Sequence, residues 1–155
     1  MGDVIERSSR KDPKLAWITL LPKFLVPKKL MTFAYLSDFY ENVQHFGKDY
    51  AFKDLPQATK IYFCLGLAVK DTYRGLGLGK ELIQRSNDIA KTFGCSHAYV
   101  EATSIYSQVI LEDLDFEKLH EHPYEKFKRK DGSNFFTGMK EHKVHQVMFK
   151  DLRLK

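Results

Sequence analysis

Residues 61–93 read IYFCLGLAVKDTYRGLGLGKELIQRSNDIAKTF. The apolar run from Ile61 to Val69 lies between Pro56 and the pair Lys70-Asp71. It predicts a strand buried on both faces. Arg74-Gly75-Leu76-Gly77-Leu78-Gly79 comes next, a turn with glycine at every second position. Leu78, Leu82, Ile83, Ile89, Ala90 and Phe93 then recur at helical spacing, while Lys80, Glu81, Gln84, Arg85 and Asp88 face water. Strand, glycine turn and helix in that order make an anion site. Glycine admits positive φ and a close backbone approach. The first N–H groups of a helix have no internal partner and lie at the positive end of its dipole. A phosphate or diphosphate docks there. The turn is not a Walker loop, because Gly79-Lys80 is followed by Glu81 where Ser or Thr is needed. It is not a dinucleotide fingerprint either, because the third glycine comes too early for G-x-G-x-x-G. The remaining alternative is a tight glycine turn that binds nothing.

A chain of 155 residues suits one domain spanning 1–155, with enough length for a core. Its 43% hydrophobic and 29% charged residues are ordinary for a soluble globule. The net charge of +5 suits an acidic ligand such as a nucleotide-bearing cofactor, although it does not require one. No basic block interleaved with aromatics points to nucleic acid; Lys126 to Lys130 reads as a solvated turn. Two cysteines, Cys64 and Cys95, are too few for a disulfide framework or a zinc site. Both are expected to be reduced, in keeping with a cytoplasmic protein. No secretory signal is visible, and the apolar piece Leu15 to Val26, broken by Pro22 and Lys23, is too short to span a bilayer. Met1-Gly2 with Glu6 at position six does not make a myristoylation signal.

In chain order, Met1 to Pro13 reads as a polar, basic and partly ragged end. Leu15 to Leu21 reads as a short strand, and Pro22 and Pro27 break any regular element after it. Leu30, Phe33, Ala34, Phe39, Val43 and Phe46 predict a long amphipathic helix over 28–46, with Gly47 as its C-cap. Tyr35, Phe39 and Tyr40 on it either line a pocket or belong to the core. Asp49 to Pro56 reads as a loop. Gly94-Cys95 ends the helix of the opening stretch, and His97 to Ala102 predicts the next parallel strand. A helix runs from Thr103-Ser104 to about Leu114, and Phe116 to His122 reads as a strand. Tyr124 to Lys140 reads as a polar loop turning at Asp131-Gly132, and the alternation from Lys143 to Leu152 predicts a last strand.

The turn Arg74-Gly75-Leu76-Gly77-Leu78-Gly79, following an apolar strand, resembles the R-x-x-G-x-G turn of the GNAT acetyltransferases. The stretch Val100-Glu101-Ala102-Thr103-Ser104-Ile105-Tyr106-Ser107, followed by Leu114-Asp115-Phe116, is similar to the T-S-x-x-S…L-G-F segment of invertebrate arylalkylamine N-acetyltransferases. So are Tyr124, Asp131-Gly132, His142-Lys143-Val144 and Val147-Met148. The resemblance covers roughly residues 28–152. It departs at Asp115, where the family usually has glycine. It departs also upstream, where the family places two helices, an early strand and an acidic residue acting as base. About 27 residues precede the long helix here, and they do not resemble that segment. The expected fold is therefore α/β (α+β): the GNAT acyl-CoA N-acyltransferase fold, its mixed central sheet splayed at the CoA site and its N-terminal helices shortened or divergent.

The resemblance implies an N-acetyltransferase with acetyl-CoA as cofactor and a small arylalkylamine as substrate. The partner expected is a small-molecule amine, with no nucleic acid and no membrane, on a monomer or weak dimer. The diphosphate would sit on the N–H groups of Arg74, Gly75, Leu76, Gly77, Leu78, Gly79 and Lys80. The pantetheine arm would pair with the edge around Leu65 to Val69, and an N–H of Leu67, Ala68 or Val69 would hold the oxyanion. The amine arrives as an ammonium, so a base must take its proton. Ser107 matches the family's catalytic serine and would donate a proton to the departing thiolate. Ser104 or Thr103 would order water. The competing reading for all three is N-capping of the following helix. Glu101 is either a substitute base or a solvated carboxylate. His120 and His122, two apart on one strand face, have no convergent carboxylate or thiol, so no metal site is expected. Two alternatives to the arylalkylamine enzyme remain: a CoA-binding relative impaired in catalysis, and a GNAT enzyme acting on protein amines.

Overall fold

The computed structural model describes residues 2–6, 48–128 and 132–153. The strand expected at Leu15 to Leu21, the helix over 28–46 with Tyr35, Phe39 and Tyr40, its cap at Gly47, and Asp131 lie outside the described residues. In order, the elements are β1 (Gly2–Glu6), α1 (Lys48–Asp54), β2 (Lys60–Cys64), α2 (Leu78–Thr92), β3 (His97–Ala102), α3 (Ile105–Glu112), β4 (Glu117–Pro123) and β5 (Val144–Asp151). One mixed five-stranded sheet has the order β1-β2-β3-β5-β4. β2 and β3 are parallel, joined through α2, and every other pairing is antiparallel.

The sheet carries a core on each face. Tyr62, Cys64, Ala98, Val100, Ala102 and Met148 pack with Ile83 and Ala90 of α2 and Leu111 of α3. On the opposite face Ile61, Phe63, Tyr99 and Val147 pack with Ala51 of α1 and with Leu55. The alternation along β2 and β3 assigns side chains to these two faces. Burial of each large side chain such as Ile61 or Leu111 contributes roughly 1.5–3 kcal/mol.

Five expectations are corrected. Residues 2–6 form an edge strand paired with β2, Gly2 opposite Cys64, rather than a ragged end. Asp49 to Pro56 is not a loop: Lys48–Asp54 is helical, because Ala51 and Leu55 are spaced to cover Ile61 and Phe63. The central strand stops at Cys64 instead of running to Val69. Its pairing with β3 ends at Cys64 opposite Val100, and Leu65 beyond it is 61% exposed. The stretch Tyr124 to Lys140 is less polar than it reads, because Tyr124, Phe127, Phe135 and Phe136 gather into an aromatic cluster. Along α2 the buried positions are Ile83, Asn87 and Ala90, while Leu78, Leu82, Ile89 and Phe93 of the expected stripe are exposed. α2 ends at Gly94, whose φ of 75° gives the left-handed cap, with Cys95 N–H bonded to Ala90 O.

Candidate active site

The site lies at the carboxyl ends of the two parallel strands, the usual place for a ligand in an α/β sheet. β2 and β3 part after Cys64 and Val100, while β3 continues to Ala102 against β5. Residues 65–70 leave the sheet, and the N–H groups of Leu67, Ala68 and Val69 enter no backbone–backbone hydrogen bond among the described residues. These amides continue the line of β2 past its last paired residue, at the mouth of a splayed sheet.

The glycine turn is the next element. Gly75 and Gly77 take φ of 79° and 74°, a left-handed conformation that side chains resist. No atom lies within 4 Å of where a Cβ would stand on either, so the backbone is open to a ligand there. Gly79 has a different task. A Cβ on it would lie 3.0 Å from Ile110 Cδ1 and 3.5 Å from Leu67 Cδ2, so its bareness lets α2 approach α3. Gly77 is the N-cap of α2 and offers no side chain to its amides. The first backbone bond into the helix is Glu81 N–H to Gly77 O. Among the described residues no backbone carbonyl receives the N–H of Gly75, Leu76, Gly77, Leu78, Gly79 or Lys80. Six successive amides at a helix N-terminus thus remain available to an anion. Arg74 rests on Asp71 at 2.8 Å and Lys80 on Asp113 at 3.3 Å, both pairs largely exposed and easily exchanged for a phosphate.

α3 begins at the other side of the gap, and its N-terminus is closed. Ser104 is the N-cap; Ser107 N–H donates to Ser104 Oγ at 3.1 Å, and Ser104 N–H donates to Ser107 Oγ at 3.3 Å. The Ser107 hydroxyl donates to Ser104 O at 2.8 Å. Thr103 does not cap: its carbonyl accepts from the Tyr124 hydroxyl at 2.7 Å, and Thr103 itself is exposed. The three hydroxyl residues are therefore brought together at the end of β3, two of them engaged in the capping box.

Four contacts unforeseen in the sequence tie this turn to the hairpin loop before β5. Besides the bond from Tyr124, Ile105 N–H donates to His142 Nδ1 at 3.2 Å, and the Tyr106 hydroxyl donates to Glu141 Oε1 at 2.8 Å. Gln108 Nε2 donates to Val144 O at 2.9 Å. The bond to Glu141 pushes the Tyr106 phenol above its usual range. Beside the loop lies a cleft of about 600 Å³ whose lining includes Tyr124, Glu125, Phe136, Met139, His142 and Lys143. The Tyr124 and Phe136 rings meet edge-on at 4.8 Å. Of this wall, Tyr124 and His142-Lys143-Val144 stood out in the sequence through the family resemblance, whereas Phe136 and Met139 did not.

On the opposite sheet face a carboxylate does converge on His120, contrary to the reading of the sequence. His120 Nε2 lies 3.0 Å from Asp54 Oδ1, whose other oxygen accepts from the Tyr99 hydroxyl at 2.8 Å. His122 stacks between His120 and His145.

The profile of the "Acetyltransferase (GNAT) family" matches residues 29–116, more than half of the chain. The chain belongs to the GNAT family. Acetyl-CoA is the cofactor that this family binds. The chain agrees in fold with arylalkylamine N-acetyltransferase 2 from Aedes aegypti, at a TM-score of 0.70 and 22% identity, covering 97% of this chain and 65% of that one. A putative arylalkylamine N-acetyltransferase 7 from the same mosquito gives 0.70 at 20% identity, covering 97% and 56%. The polyamine N-acetyltransferase of Drosophila melanogaster gives 0.64 at 14%, covering 97% and 66%. The chain thus spans less than two thirds of the length of these structures, and at such identities the likeness is one of fold. No curated protein sequence matches the chain significantly. Among the described residues no helix is long and apolar enough to cross a membrane.

Proposed function

We propose that this chain binds acetyl-CoA at the 74–80 turn and passes its acetyl group to the primary amine of a small arylalkylamine by direct attack on the thioester. The observation that carries the reading is the run of six amides from Gly75 to Lys80 that, like those of Leu67 to Val69 just after β2, meet no backbone carbonyl among the described residues. The residues fit the cofactor chemically. The amides and the adjoining Arg74 and Lys80 side chains suit a diphosphate, and the N–H groups of Leu67 to Val69 suit the carbonyls of a pantetheine arm. Bound there, the cofactor supplies an activated acyl carbon.

The protein's own part comes from placement. An N–H group among Leu67 to Val69 would hold negative charge on the acyl oxygen. Ser107 would donate to the leaving thiolate once its hydroxyl proton turns from Ser104 O, and the Ser104 hydroxyl, 3.0 Å away, would then re-protonate it as a relay. The cleft walled by Tyr124, Phe136 and Met139 supports an aromatic acceptor, and Glu125 among its lining residues supports an ammonium against Lys140 and Lys143.

A second reading, a CoA binder with impaired catalysis, is favoured by one observation: the Ser107 hydroxyl is committed to the helix cap. Thiol release separates the two. With acetyl-CoA and a panel of arylalkylamines, saturable thiol release supports the transferase. CoA binding without release on any amine supports the second reading. Acetylation of peptides alone would place the acceptor among protein amines.

A further inference from the structure

We propose that Gln108 is a positioning residue, the wedge that holds the acceptor-side hairpin at a fixed distance from the acetyl-transfer turn. Gln108 lies on the second turn of α3 and is 3% exposed. Its amide nitrogen donates to two carbonyls, Ala102 O at 3.1 Å and Val144 O at 2.9 Å. A glutamine amide has two N–H groups, so each carbonyl takes one. The two carbonyls belong to different strands. Ala102 is the last residue of β3 and leads into Thr103–Ser107; Val144 is the first of β5 and lines the acceptor cleft.

Here the β3–β5 ladder ends, its last pair being Ala102 opposite Gln146. Beyond that pair the strands need a bridge or must part. Gln108 supplies the bridge from a third element, α3, whose N-terminus carries Ser104 and Ser107. One side chain thereby fixes three things together: the end of β3, the start of β5 and the rotation of α3. Of the other links across the same gap, Ile105 to His142 and Tyr106 to Glu141 are exposed and open to competition from water, while the Tyr124 hydroxyl to Thr103 O is part-buried and holds the loop's far end. The link from Gln108 to Ala102 is buried, where losing a donor leaves the carbonyl unpaired.

Amide exchange tests the wedge without turnover; only a kinetic arm rests on the acetyl-transfer reading. Gln108→Leu keeps the volume and removes both donors. Gln108→Asn stays polar but is one methylene short, so it reaches at most one carbonyl, and it serves where the leucine variant does not fold. In each folded variant, exchange in residues 132–146 should rise at least tenfold while residues 74–92 keep wild-type rates. If both segments loosen equally, or neither does, the proposal is overturned. Where the wild type turns over an amine, the acceptor KM should rise about tenfold with the CoA Kd within twofold of wild type. A matching rise in both constants overturns the proposal. A wild type that binds CoA and acetylates nothing sinks the transferase reading, while exchange still decides the wedge.

Discussion

The two helices that flank the splayed sheet begin in opposite ways. α2 opens on Gly77 in a left-handed conformation, with no side chain over its amides. α3 opens on Ser104 in an extended conformation, inside a reciprocal box with Ser107. The dipole is the same in kind at both ends, so the cap residue decides what an N-terminus can do. An uncapped end keeps its amides for a ligand and gives up the stability a cap supplies. A capped end is locally satisfied and becomes a fixed platform, here gripping the hairpin loop through Ile105, Tyr106 and Gln108. The C-termini differ too: α2 stops at Gly94 with φ 75°, whereas α3 stops near Asp115, a non-glycine residue at φ 58°.

The contrast between open and closed ends is tested most severely at α2. Gly77→Asp puts a carboxylate among the open amides and should weaken CoA binding at least 100-fold, about 2.7 kcal/mol, by calorimetric titration. The buried sheet face away from both helices offers a control that titrates. Burial, and then the neighbouring His122, hold the His145 imidazole down to about 3. A base whose folded value lies below its ordinary ~6.5 contributes stability that is complete above about pH 6.5 and is lost as pH falls toward the folded value. Urea midpoints should therefore drop between pH 6.5 and 5 by the equivalent of up to ~2 kcal/mol, and His145→Leu should flatten that slope. Opening the closed end of α3 with Ser104→Ala should cost ~1 kcal/mol, lowering Tm by roughly 2–4 °C while the CoA Kd stays near wild type. The smallest effect is expected at the other end of α3. Asp115→Gly makes it resemble α2 and should stabilise by about 0.5–1 kcal/mol, since the lost ion pair to Lys150 at 3.6 Å is exposed. An unchanged urea midpoint there would mean that Asp115 bears no strain.

What was legible in the sequence was whatever depends on neighbours along the chain. His97 to Ala102, the Gly94 stop, the glycine turn and the serine cap are local, and each falls where pattern and spacing put it. Asp115, at a family glycine position, has the left-handed backbone that glycine would adopt without strain. The rest depends on distant partners. Ile61 to Val69 is uniformly apolar, so nothing along the chain marks Cys64 as the last paired residue; the departure of β3 does. Lys48–Asp54 hid as a loop because its helical face is defined by what Ala51 and Leu55 cover. Leu82, Ile89 and Phe93 kept helical spacing yet lie exposed, since periodicity marks a face without saying whether the sheet meets it. Gln108 carried no signal at all, because its meaning is the distance between two carbonyls 42 residues apart in the chain, those of Ala102 and Val144.

At the heart of the proposed function is the grip of the Gly75 to Lys80 amides on the diphosphate of a thioester carrier. Titrating CoA into the ¹⁵N-labelled chain tests it residue by residue. The largest saturable shifts should fall on Gly75 to Lys80, with a second set on Leu67 to Val69. Saturation with shifts centred elsewhere, or no saturable shift at all, would contradict it.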